Sequence, residues 1–200
     1  VIGRDKYGVF PLRGKVLNVR DANPKQINEN KEIVNIKKIL GLESNKKYKD
    51  VKSLRYGKIM IMTDQDHDGF HIKGLLLNMF HSMWPELLDK NFISYMNTPI
   101  VKVSLKKDIK SFYTLTDYNQ WKEKTKNYKK YNIKYYKGLG TSTAKESKEY
   151  FKELKLNTYV SPEKELTDKS INLAFNKKQA DDRKEWLKKY DENEILDYKI

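Results

Sequence analysis

Two apolar patterns alternate along this chain and together lay out an α/β protein. Ile59-Met60-Ile61-Met62 is an unbroken apolar run with turn residues after it, and reads as a buried strand. Ile72, Leu75, Leu76, Met79, Phe80 and Met83 repeat instead at i, i+3 and i+4, which predicts a buried helix starting after Gly69. Pro85 breaks that helix, with Leu87 and Leu88 packed inward beyond it. Upstream, Tyr7 to Val19 alternates short apolar runs with Gly8, Pro11 and Gly14, and predicts strand and tight turn. Asn23 and Pro24 are cap and first residue of a helix that ends at Gly41. Its core face carries Ile27, Val34, Ile36, Ile39 and Leu40, unevenly spaced. Glu43 to Lys52 is polar loop. Phe92 to Leu105, aromatic and β-branched around Pro99, predicts a strand. Thr143-Ala144-Lys145-Glu146 is a capping box opening a helix that runs to about Leu154. Asn157 to Lys169 reads as linker. A last helix is predicted over Lys178 to Tyr190, with Trp186 and Leu187 inward.

Charge changes the picture. The 200 residues carry a net +14, with a pI near 9.5. Such a balance favours nucleic acid or another anionic surface as partner and is silent on fold. From Lys102 to Lys137 the acids are Asp108, Asp117 and Glu123, while lysines recur throughout; most of these lysines belong to a solvated face. Lys, Asn, Tyr and Ile are abundant everywhere, as A/T-rich coding DNA would produce. No stretch approaches the roughly 18 apolar residues of a membrane span. Cysteine is absent, which rules out disulfides and thiolate metal sites. The chain opens Val1-Ile2-Gly3 without Met, as a piece of a longer protein does.

Within that basic field lies an acidic knot, Asp64-Gln65-Asp66-His67-Asp68-Gly69, directly after the apolar strand. Alternate residues of an extended chain share a side, so the three carboxylates are expected to gather at the strand's carboxyl end. Ligands of open α/β sheets bind at that end. Unpaired, the carboxylates repel one another, and a hard divalent cation relieves the repulsion. A solvated acidic turn is the plain alternative. A calcium loop fits the first six positions, but its twelfth, a bidentate Glu in that pattern, is Leu75 here. Aspartyl-phosphate hydrolases fit less well because of Asp68.

Four segments in order carry a resemblance. They are Val9-Phe10-Pro11-Leu12-Arg13-Gly14-Lys15-Val16-Leu17-Asn18, the stretch from Ile59 to Gly74, Lys134-Tyr135-Tyr136-Lys137-Gly138-Leu139-Gly140-Thr141, and Asp181-Asp182-Arg183-Lys184-Glu185-Trp186-Leu187. With them the chain resembles the TOPRIM region of type IIA DNA topoisomerases, the eukaryotic kind rather than the gyrase kind. The resemblance implies an α/β TOPRIM fold, Rossmann-like, with a mostly parallel sheet flanked by helices. It places the TOPRIM domain at 1–140 and a helical extension at 141–200, leading toward a winged-helix domain. These enzymes cut both strands of a duplex through a 5′-phosphotyrosyl link, pass a second duplex and reseal. They act as nuclear homodimers and hydrolyse ATP in a domain outside this region.

The same resemblance assigns residues. Asp64 and Asp66 would ligate Mg²⁺, with Mn²⁺ or Ca²⁺ as substitutes, and Asp68 would be an outer or occasional ligand. Arg13, Lys15 and Asn18 would lie beside the scissile DNA. Lys137, in a flexible basic loop, and Arg183 and Lys184 would also meet DNA, although Asp181 and Asp182 stand near the last two. His67 and His71 flank the knot, where a histidine donates to phosphate or packs; packing is the expectation for His71. Three departures matter. The family's E-G-D-S motif, whose Glu completes the metal site, does not occur in these residues. Arg55-Tyr56 matches the dipeptide of the nucleophilic tyrosine but precedes the metal strand, so Tyr56 is read as a decoy. Phe70 stands where a small hydroxyl residue is usual. A gyrase-type subunit, a primase, or a basic non-catalytic nucleic-acid-binding module are the competing functions.

Overall fold

The computed structural model describes residues 3, 5–161 and 163–189. The first helical region is two helices, α1 (Pro24–Glu29) and α2 (Lys31–Leu40). Asn30 ends one and caps the other, its side chain accepting from Ile33 N at 3.1 Å. That break explains the uneven apolar spacing: the buried face of α2 is Ile33, Ile36 and Leu40. Residues 7–19, expected as strand, form loop and turn, with Val16 and Val19 anchoring them in the core.

β1 (Ile59–Ile61) follows and leads into α3 (His67–Met83). The α3 stripe buries Leu75, Leu76, Met79 and Phe80, as its period predicts. A 3₁₀ turn, Pro85–Lys90, then buries Leu87 and Leu88. Around this helix lies the main core, where Phe80 packs on Trp84 and Phe92 at 5.7 and 6.0 Å between ring centroids. Fully buried, Trp84 still satisfies its indole N–H on the Glu43 carbonyl at 2.8 Å.

The expected strand from Phe92 to Leu105 is two, β2 (Ile93–Met96) and β3 (Val101–Leu105). Pro99, fully buried between them, has no N–H for a ladder, and the two segments join different sheets. β4 (Asp108–Phe112) pairs with β3 as a hairpin, and α4 (Leu115–Lys124) covers it. β5 (Asn132–Tyr135) pairs with the other edge of β3, giving the order β4-β3-β5. Val101, Val103 and Tyr118 centre a second, aromatic-rich core there. α5 (Ala144–Lys152) begins at the predicted capping box.

β6 (Leu156–Thr158) and α6 (Lys164–Phe175) occupy the stretch read as linker. β6 is antiparallel to β2, and the first sheet runs β1-β2-β6. Its residues are all exposed, so its pairing rests on backbone rather than on an apolar signature. Of the pairings among the described strands, β1 with β2 is the parallel one, so the sheets are mixed rather than mostly parallel. The last helix, α7, covers Ala180–Lys188; Tyr190 lies outside the described residues. Trp186 and Leu187 point outward, 53% and 56% exposed, against the inward expectation.

Glu146 ties α5 to the second sheet. It accepts from Thr143 N at 2.8 Å and from the Tyr136 hydroxyl, and pairs with Lys134 at 3.1 Å and Lys102 at 3.6 Å. Burial alone would raise its pKa, but the Thr143 amide, Tyr136 and Lys134 outweigh burial and bring it down to about 2. A folded pKa below the ordinary 4.5 means that ionised Glu146 stabilises the fold fully above that value, and that this contribution is lost as pH falls toward 2. Glu146→Gln is predicted to cost about 1.5–3 kcal/mol at pH 7, the range for a hydrogen-bonded charge. In urea unfolding curves the deficit should shrink steadily below pH 4.5.

Candidate metal centre and nucleic-acid interface

The acidic turn sits where β1 gives way to α3. Asp66 is the N-cap of α3, its Oδ1 accepting from Gly69 N at 2.7 Å. Gly69 is there for want of space: a Cβ on it would lie 1.9 Å from the Asp64 carbonyl oxygen. Asp64 Oδ1 accepts from the backbone N–H of Leu139 at 2.7 Å, across 75 residues. Asp68 falls inside the helix and pairs with Lys15 at 2.8 Å. The Lys15 hydrogen bond and charge hold the Asp68 carboxyl below the usual range. The three carboxylates therefore do not gather. Alternation requires extended backbone, and the helix starts at His67, one residue too early for Asp68.

Among the described residues no three His, Asp or Glu side chains converge on one point. This does not conflict with Mg²⁺, which commonly takes one or two carboxylates and completes its shell with water and substrate phosphate. Asp64 and Asp66 are exposed, and each has one oxygen on a backbone amide and a second to offer.

The basic residues sort into two groups. Arg13, Lys15 and Lys137 are exposed, and the contacts just described bring two of their loops onto the acidic turn. The others are engaged with other groups of the chain. Asn18 donates to Asp21 at 3.0 Å and to the Phe175 carbonyl at 2.8 Å, and accepts from Asn78 at 2.8 Å and Arg20 N at 3.2 Å. That fills an amide side chain's capacity. Arg183 donates to the carbonyls of Leu173, Ala174 and Asn176 at 2.9, 3.0 and 3.3 Å, closing the end of α6. Lys184 pairs with Asp181 at 2.9 Å on an open surface. His71 is exposed rather than packed. Tyr56 packs on the main core, and its hydroxyl would lie 2.6 Å from a Cβ on Gly8.

Sequence reasoning missed Lys73. It is 3% exposed, between the rings of Phe70 at 4.8 Å and Tyr95 at 4.4 Å, and donates to Gln65 Oε1 at 3.4 Å. Burial lowers its pKa. A signal existed: Gly69, Lys73, Leu76 and Phe80 share the buried face at i+3 and i+4 steps. The contact between Leu139 and Asp64 had no such signal.

The Toprim domain family matches residues 1–105, and the C-terminal associated domain of TOPRIM matches residues 96–200. The chain belongs to the Toprim family. The chain is 58% identical over 200 residues to DNA topoisomerase 2-alpha of Homo sapiens, covering 96% of this chain and 13% of that protein. DNA topoisomerase 2-alpha of Cricetulus griseus is 60% identical over 194 residues, covering 94% of this chain and 12% of that one. The chain thus spans about an eighth of these relatives. A solved structure of the Plasmodium falciparum topoisomerase II DNA-binding, cleavage and re-ligation domain superposes with a TM-score of 0.91 at 51% identity, covering all of this chain and 28% of that one.

Arg183→Ala is predicted to destabilise the α6–α7 corner by about 1–3 kcal/mol, the cost of carbonyls losing a charged donor. Duplex affinity, measured by fluorescence anisotropy on the folded variant, should stay at the parent value.

Proposed function

We propose that this chain is the cation- and DNA-holding part of an ATP-dependent type IIA topoisomerase of the eukaryotic kind, acting on duplex DNA in the nucleus as a homodimer. The observation that carries the reading is the convergence on one acidic turn of the loop bearing Lys15 and the loop bearing Lys137. Similarity to topoisomerase 2 proteins supports it.

Asp64 and Asp66 would hold the Mg²⁺. When bound, such a cation stabilises charge developing on the departing 3′-oxygen. The chain's own residues do the rest of the holding. Lys15 and Arg13 present a point charge and a planar fork to the backbone phosphates. Lys15 already balances Asp68 in an exposed pair, and such pairs are readily exchanged for a phosphate. Lys137 adds a further cation on the loop whose Leu139 amide meets Asp64. Positioning and electrostatics are the main contributions a protein makes to phosphoryl transfer. The nucleophile and the proton-handling carboxylate are not supplied by Tyr56 or by any E-G-D-S within these residues.

Two outcomes are expected. Lys15→Ala should lower affinity for duplexes of any sequence and flatten the log–log salt dependence by roughly one unit, as loss of one phosphate contact does. An unchanged slope would remove Lys15 from the interface. The 200-residue chain with Mg²⁺ and ATP should neither relax nor cleave supercoiled plasmid. Cleavage that disappears in Tyr56→Phe would overturn the assignment of the nucleophile to another domain.

A further inference from the structure

Asp64 is exposed, yet the loop after β5 stands on it. Besides the Leu139 amide at 2.7 Å, the loop brings Gly138, which has no side chain, up to the Asp64 carboxylate. A Cβ there would lie 2.6 Å from Asp64 Cγ and Oδ2 and 2.7 Å from Oδ1, in collision with the entire carboxylate. This loop lies in the region matched by the C-terminal associated domain, far along the chain from the acidic turn.

We propose that the Gly138–Leu139 backbone is the positioning element of the cation site, on the reading that Asp64 is a ligand. An unrestrained aspartate at the surface samples several staggered rotamers. A site with one or two protein carboxylates gains affinity when that freedom is removed before binding. The Leu139 amide pins one oxygen and leaves the other in a set direction. An uncharged donor does this without cancelling the negative charge a cation needs. Asp68 is the contrast, since Lys15 neutralises it. The absence of a side chain at 138 is what allows the approach. Cation occupancy at Asp64 is thereby coupled to the loop that carries Lys137.

Mn²⁺ calorimetry on the folded 200-residue chain tests this, alongside Asp64→Ala, Gly138→Ala and Leu139→Pro. Leu139 is the first residue of a 3₁₀ turn, and Gly138 before it is extended, at φ −174° and ψ 179°. Proline suits that position and deletes the one donor without adding bulk at 138. Gly138→Ala and Leu139→Pro are each expected to weaken Mn²⁺ about tenfold with the circular dichroism melt preserved, and Asp64→Ala to weaken it at least as much. Parent-like affinity in both loop variants, with Asp64→Ala still impaired, overturns the positioning role and leaves the metal reading standing. Parent-like affinity in Asp64→Ala overturns the metal reading itself. Should Gly138→Ala misfold, Leu139→Pro and amide exchange decide. Without metal, exchange at the Leu139 amide should quicken in Asp64→Ala, and equal rates would show that the contact does not exist.

Discussion

The acidic turn depends on one steric constraint: nothing larger than hydrogen fits at position 69. With the Asp64 carbonyl oxygen 1.9 Å from the place a Cβ would take, the first turn of α3 seats directly on the turn that precedes it. The same residue supplies the amide that Asp66 caps. Strand, turn and helix are thereby locked into one short segment, with Asp64 and Asp66 before the helix and Asp68 within it. The constraint also divides the carboxylates by role. Two keep a free oxygen at the strand end, and the third is carried round to meet Lys15.

The C-terminal helices obey a different rule. Neither α6 nor α7 has a fully buried residue, so apolar packing alone does not place them. A polar seam does. Arg20 donates to Asn78 on α3 and Asn172 on α6, both at 2.9 Å, and faces His81 Nδ1 at 2.8 Å. A guanidinium only donates, so Nδ1 accepts and the ring proton sits on Nε2, directed at Asp168 of α6 at 2.6 Å. Asn18 closes the seam onto the Phe175 carbonyl. A network satisfied this fully specifies one arrangement of α6 on α3, and losing one member leaves the others unpaired.

That seam shows what was legible in the sequence and what was not. Periodicity located β1, the buried stripe of α3 and the inward Leu87 and Leu88, because each buries apolar surface in a repeating pattern. Local chemistry located the Asn23 and Thr143 caps and the end of α2 at Gly41, because a cap is written within four residues. β6 and α6 escaped because backbone pairing and side-chain hydrogen bonds leave no apolar period. Motif position points Asn18 and Arg183 toward DNA, and the sequence carries no sign of the hydrogen bonds that tie both to other segments of the chain. Asp64 was legible, whereas its partner Leu139 was not. A backbone donor has no residue type to betray it.

Charge supplies the last step. A chain at +14 draws a polyanion to itself from all directions, with no preference for one point on its surface. An acidic turn within that field repels phosphate unless a cation stands on it, so on the proposed function approach to the turn would depend on occupancy. The donors around it match this dependence. Asp64 and Asp66 are held by amides, which orient them and leave their charge intact. Asp68 is held by a lysine, which removes charge where a third unbalanced carboxylate would oppose the phosphate. On the proposed function, a basic surface with two oriented, unneutralised carboxylates would gather DNA broadly and admit a phosphate to the turn only with the cation in place.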